Sequence, residues 1–231
     1  MDTSVVQINT GAFTNVFLIR GRTGYVLVDA SFPGRADCIL AALARHGVAP
    51  EDIRLILLTH GHVDHFGSAA ALRERTGAPV AIHVLDAEGP RRGTHVPDST
   101  APTGRLLSSL MRLPPLQKSL AAAAGPAFEP DILFSEGFRL DEYGVAGRVV
   151  HLPGHTPGSV SVLLDNGEAI VGDLVMGKLM GLIPRPGPPI VAWDLERNRE
   201  SVDKLITLAP RIVYVGHGGP FRDLSGLTKQ R

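Results

Sequence analysis

Between Thr59 and Gly67 the sequence reads Thr-His-Gly-His-Val-Asp-His-Phe-Gly, so His60, His62, Asp64 and His65 fall within six consecutive residues. Imidazole and carboxylate are ligands that suit zinc, iron and manganese. The cluster follows an apolar run at 53–58, so a strand delivers four such groups to one loop, where they can surround a common point. Metal binding is the chemistry these residue types suit, and metal-assisted hydrolysis is the reaction class that follows from it.

Three further segments share this grammar. His155 sits in a Pro-Gly-His-Thr-Pro-Gly turn after the apolar stretch 145–152. Asp173 follows the apolar stretch 169–171 and Gly172, and His217 lies between Gly216 and Gly218 after 212–215. In each case an apolar strand ends and a turn of small residues presents one ligand-type side chain. One histidine after a strand is ordinarily structural, but four ligand-bearing turns are not explained by packing. Together these strand ends could line one edge of the sheets.

The elements that must position them read as follows. Strands are expected at 5–8, 13–20, 25–29, 53–58, 80–84, 139–140, 145–152, 159–164, 168–171 and 211–215. An Asp165-Asn166-Gly167 hairpin turn joins the eighth and ninth of these. Helices are expected at 35–46, 68–76 and 194–208, the last capped by Asp194. Strands in hairpin order with recurring helices point to a layered α/β protein with mixed sheets, not to a purely parallel doubly wound one. The chain is expected to form a single domain over 1–231, with a proline-rich insert at about 89–130. Two apolar helical stretches in that insert, 104–113 and 116–124, are expected to pack on the domain and border the site.

The 231 residues are 44% hydrophobic, enough for one sizeable core, and 23 basic residues balance 23 acidic ones. A neutral chain without a long basic run argues against nucleic acid or an anionic membrane as the main partner. No apolar run approaches the roughly 18–20 residues of a spanning helix. The first residues show no basic stretch followed by an apolar core, so no secretory signal is expected. Cys38, the single cysteine, allows no internal disulfide and is expected to be buried in the helix at 35–46. The cytoplasm is therefore the expected compartment.

The order His-x-His-x-Asp-His, Gly-His-Thr-Pro-Gly, Gly-Asp, Gly-His-Gly resembles the metallo-β-lactamase-fold hydrolase superfamily, over roughly Asn15 to Gly219. The resemblance implies an αββα sandwich with the metals at one edge between two sheets. It implies a first metal on His60, His62 and His155, a second on Asp64, His65 and His217, and Asp173 as the bridge. Asp29, in Val-Leu-Val-Asp-Ala-Ser, matches the family's early aspartate and implies support of the metal loop from outside the ligand set, although Ala30-Ser31 replaces the commoner Thr-Gly. The expected cofactors are two divalent ions, zinc ahead of iron or manganese. The expected reaction is hydrolysis of an ester, thioester, lactone or amide bond of a small molecule by a metal-bridging hydroxide, with Asp64 or Asp173 taking the proton.

The only cysteine is Cys38, so the late cysteine ligand of some β-lactamases is absent. Leu174-Val175-Met176-Gly177 carries no tyrosine, where quorum-lactone lactonases typically place one. Two other classes remain to be separated from hydrolysis, the first by metal content and oxygen uptake, the second by the absence of turnover at full metal occupancy. One is a mononuclear iron persulfide dioxygenase using His60, His155 and Asp173, and the other is a non-catalytic metal-binding module. His83, His95, His46, His151 and Lys178 are expected to be structural or solvated, while Trp193 and the segment 176–183 could line a pocket or fill the core.

Overall fold

Apolar side chains alternate along the strands so that successive residues enter different layers. In the computed structural model, which describes residues 3–8, 10, 13–94, 105–106, 109–110, 113–115, 124–178 and 181–228, strand β2 (Val16–Arg20) turns Val16 and Leu18 to one core and Phe17 and Ile19 to another. β3 (Tyr25–Val28) splits likewise, with Leu27 on one side and Val26 and Val28 on the other. This period of two on a sheet covered on both faces explains the unbroken apolar runs in the sequence.

Six strands form the first sheet in the order β1–β6, with β1 spanning Ser4–Ile8, β4 Ile53–Leu57, β5 Val80–His83 and β6 Ile132–Phe134. β1, β2 and β3 pair antiparallel, whereas β3, β4, β5 and β6 pair parallel. The second sheet has the order β12-β9-β8-β7, made of β7 (Gly147–His151), β8 (Val160–Leu164), β9 (Glu168–Ile170) and β12 (Ile212–Tyr214). A separate hairpin pairs β10 (Met176–Lys178) with β11 (Ile183–Gly187).

Three apolar layers hold these sheets. Helices α1 (Ala36–Arg45) and α3 (Ala69–Thr76) place Ile39, Leu43 and Leu72 on the outer face of the first sheet. Two short helices, α2 (Val63–Phe66) and α4 (Glu88–Arg92), follow β4 and β5 respectively. Phe17, Val28, Leu57, Val149, Val162 and Ile170 fill the space between the two sheets. Leu205, from helix α5 (Leu195–Thr207), covers Leu163, Val171 and Val213 on the outer face of the second sheet. The result is helix, sheet, sheet, helix: an α/β protein with the αββα sandwich.

Most expected elements are present, with shorter ends. The strand expected at 139–140 is instead one isolated bridge, Arg139 to Arg148. Cys38 is exposed, which corrects its expected burial. The buried stripe of α1 runs through Ala36, Ile39, Ala42 and Leu43, and Cys38 lies off that stripe. His95 and most of the stretches 104–113 and 116–124 lie outside the described residues. Among the described residues no helix is long and apolar enough to cross a membrane.

Candidate metal centre

The strand directions explain why distant residues meet. β4 runs parallel to its neighbours β3 and β5, and β7, β9 and β12 run parallel to one another across the second sheet. The ends of β4, β7, β9 and β12 therefore reach one edge, where they release His60, His155, Asp173 and His217 respectively. After β4, the short helix α2 keeps Asp64 and His65 close to His60 and His62. Backbone bonds tie the two sheets at this edge, from Val160 N to Thr59 O (2.9 Å) and from Asn15 N to Gly216 O (2.7 Å).

His60, His62 and His155 form the first trio. His62 Nδ1 lies 3.1 Å from His60 Nε2 and 2.9 Å from His155 Nε2. The outer nitrogens fix the tautomers. His155 Nδ1 faces the Val191 carbonyl at 2.8 Å, so it must carry the proton. Thr59 Oγ1 donates its one proton to the Asp29 carboxylate (2.9 and 3.0 Å), and so accepts from His60 Nδ1 at 3.1 Å. Burial, then the neighbouring histidines His65, His155 and His62, hold His60 well below its ordinary pKa, and burial lowers His155 as well. Two lone pairs thus meet one His62 nitrogen that has at most one proton to share. Ring nitrogens of a tetrahedral zinc site lie ~3.3 Å apart, so a cation satisfies this trio where protons do not.

Asp64, His65 and His217 form the second trio. His217 Nε2 lies 3.3 Å from Asp64 Oδ2, and the buried His65 Nε2, which has no hydrogen-bond partner among the described residues, is 3.8 Å from the same oxygen. Their outer nitrogens are again engaged: His65 Nδ1 by Asp29 Oδ2 at 2.8 Å, His217 Nδ1 by the Phe13 carbonyl at 3.1 Å. Asp173 Oδ2 stands between the trios, 3.5 Å from His155 Nε2, 3.5 Å from His65 Nε2 and 3.3 Å from His217 Nε2.

Charge follows the same division. Burial opposes a proton on His217, but Asp173 and Asp64 outweigh it and raise the ring to about 10. His65 is raised well above its ordinary value, since Asp29, Asp173 and Asp64 overcome its burial. Burial works against ionisation of Asp64 and Asp173 too. For Asp64, His65 and a hydrogen bond from His217 prevail; for Asp173, His217 and His65 do, and both carboxyls fall well below the usual carboxylate range. Protons on His65 and His217 occupy, in electrostatic terms, the place a cation takes.

Asp29 supports both trios from outside. It accepts from Thr59 N (2.8 Å), Thr59 Oγ1 and His65 Nδ1, and its backbone adopts φ +63°. Ser31 follows at φ +57°, a conformation glycine adopts freely and serine does not. Asp86 is a site residue that sequence reasoning missed. Buried after β5, it accepts from Gly61 N, Thr156 Oγ1 and Gly158 N at 2.9, 2.5 and 2.7 Å.

Residues 9–217 match the sequence profile of the metallo-beta-lactamase superfamily. The chain belongs to the metallo-β-lactamase superfamily. A probable metallo-hydrolase of Bacillus subtilis is 31% identical over 214 residues, which cover 85% of this chain and 76% of that protein. A hydroxyacylglutathione hydrolase of Cereibacter sphaeroides is 31% identical over 199 residues, and the match spans 85% of this chain but 58% of that longer protein. Among solved structures, a metallo-beta-lactamase family protein from Thermus thermophilus has a TM-score of 0.73 at 25% identity, covering 99% of this chain and 77% of that one.

In this superfamily member a cleft of about 170 Å³ opens beside His62 and His155, with Leu85, Glu88, Pro157 and Trp193 in its wall. Trp193 is 39% exposed, so it lines the cleft and is not core. Met176 is buried, whereas Leu182 and Ile183 are exposed on the β10–β11 hairpin. His83 stacks on His151 with ring centroids 4.2 Å apart and accepts from Leu85 N, and His151 Nε2 donates to the Pro157 carbonyl. Both have structural work. His46 and Lys178 are exposed.

Proposed function

We propose that this chain is a dinuclear, metal-dependent hydrolase that cleaves an ester, thioester, lactone or amide bond of a small molecule. The observation that supports this most is Asp173 Oδ2, which stands 3.3–3.5 Å from ring nitrogens of both trios. His60, His62 and His155 would hold one ion, Asp64, His65 and His217 the other, and Asp173 both. The donor set is imidazole and carboxylate without thiolate, which suits zinc, with iron or manganese sharing the preference. Bound there, two divalent cations supply the Lewis acidity that makes water nucleophilic at neutral pH and polarises a carbonyl.

The chain's own groups set the rest. The Asp64 side chain keeps 19% exposure against 3% for Asp173, so Asp64 is the carboxylate better placed to pass a proton to solvent. Leu85, Pro157 and Trp193 offer an apolar wall to the acyl portion of a substrate, and the described lining carries no lysine or arginine. The Bacillus relative is named a metallo-hydrolase and the Cereibacter one a hydroxyacylglutathione hydrolase, which puts thioesters among the bonds to be screened. Balanced charge, 23 against 23, supports a small-molecule substrate over nucleic acid or a membrane surface. A single cysteine, with no internal disulfide to form, fits the cytoplasm.

Metal quantification and a screen of esters, thioesters, lactones and β-lactams on the same sample test this reading. The expected result is two ions per chain and a turnover that chelation abolishes and zinc restores. One iron per chain with oxygen uptake would assign the persulfide dioxygenase reaction instead. Two ions with no turnover of any of these bonds would mark a non-catalytic metal-binding module.

A further inference from the structure

We propose that Asp86 is a positioning residue that sets the spacing of the first trio alone, by fastening the loop of His60 and His62 to the loop of His155. This rests on the two-site reading above. Asp86 belongs to neither loop. It comes from the turn after β5, the strand beside β4. One oxygen, Oδ2, accepts from Gly61 N, between His60 and His62, and from Thr156 Oγ1, next to His155. The other, Oδ1, accepts from Gly158 N of the same His155 turn. Residues 61 and 156 are thereby held on one atom.

The surroundings leave this carboxylate little freedom. Thr156 Oγ1 spends its proton on Asp86, so Ser159 Oγ donates to it at 2.7 Å, while Ser159 Oγ accepts from Thr156 N at 2.9 Å. The hydroxyls of Thr156 and Ser159 thus each donate one bond and accept another. Both glycines are tailored to the same contact. A Cβ on Gly158 would stand 2.7 Å from Asp86 Oδ1, and one on Gly61 would stand 2.5 Å from Asp86 O.

The second trio is anchored elsewhere. His65 is held by Asp29, and His217 by the Phe13 carbonyl, with Asn15 Nδ2 donating to Val215 O and Gly218 O on either side of it. β4 is therefore flanked by two supporting aspartates with different duties. Asp29, after β3, reaches His65 directly and His60 through Thr59. Asp86, after β5, spans the gap between the sheets that the His62–His155 pair must bridge.

Zinc affinity measured by competition with a chromophoric chelator separates these roles. In a His217→Ala background, where the first trio is the site left intact, Asp86→Asn is expected to weaken zinc by about 10- to 100-fold, the usual effect of losing a partner that orients ligands. In a His155→Ala background, which leaves the second trio, the same substitution is expected to change affinity by no more than about twofold. Equal weakening in both backgrounds, or none in the first, would overturn the proposal. Should Asp86→Asn fail to fold, Thr156→Val, which removes one of the three bonds, must show the same selectivity in the two backgrounds. Wild-type zinc stoichiometry, measured alongside, keeps the two readings apart: a single ion per chain would remove the dinuclear reading, while the His217→Ala comparison would still decide the role of Asp86.

Discussion

The inward-facing ring nitrogens of His60, His65, His155 and His217 owe their direction to what holds the opposite nitrogen of each ring. Two carbonyls, one carboxylate and one hydroxyl each accept from Nδ1, which leaves Nε2 free to bind a cation. In the metal-free chain Asp173 and Asp64 hold a proton on His217, whose pKa of about 10 exceeds the ordinary 6.5. A raised value stabilises the fold fully below 6.5 and loses that contribution as pH rises through about 10. Cation uptake at the second trio must expel this proton, so apparent affinity is expected to rise roughly tenfold per pH unit for each proton released between pH 7 and 9. Calorimetric zinc titrations in two buffers of different ionisation enthalpy count the protons. Heats that do not depend on the buffer would contradict the assignment. His60, His155, Asp173 and His217 were legible because each follows an apolar strand in a turn of small residues, and His65 because it lies in the same cluster as His60. Asp86 was not, since Val-Leu-Asp-Ala carries no such turn and its partner Thr156 lies 70 residues away.

Helix α5 shows how an element far from the ligands in sequence holds them. Asp194 caps it, accepting from Glu196 N at 2.9 Å and Arg197 N at 3.1 Å. The same stretch binds the His155 turn through Trp193 N to His155 O and Asp194 N to Gly154 O, both 2.9 Å. A side chain on Gly154 would run into the Asn198 backbone, so the turn and the helix can meet only at glycine. Asp194→Ala is expected to cost about 1 kcal/mol, read as a lower denaturant midpoint at unchanged slope; an unchanged midpoint would show that the cap contributes nothing. This helix announced itself through Asp194 and its periodic apolar stripe. β6 did not, because three residues with Leu133 exposed offer no pattern, and its pairing with β5 is set only by tertiary contact. The β10–β11 hairpin was hidden likewise, with Pro184 and Pro186 giving β11 the composition of a loop.

Neither sheet carries the centre alone. The first supplies His60, His62, Asp64 and His65, the second His155, Asp173 and His217, and each trio takes one member from the second sheet. Docking of the sheets through Phe17, Leu57, Val162 and Ile170 is therefore what assembles both trios, and any cation bound there stabilises the docked state by mass action. That dependence explains why the layered architecture was legible from strands in hairpin order with recurring helices while the distances were not: they follow from two sheets meeting at one edge. The proposal that Asp173 joins two ions into one centre is decided by metal quantification of the purified wild type beside Asp173→Ala. Two ions per chain are expected in the wild type, and at most one in the variant together with loss of turnover. Two tightly bound ions in Asp173→Ala would contradict it.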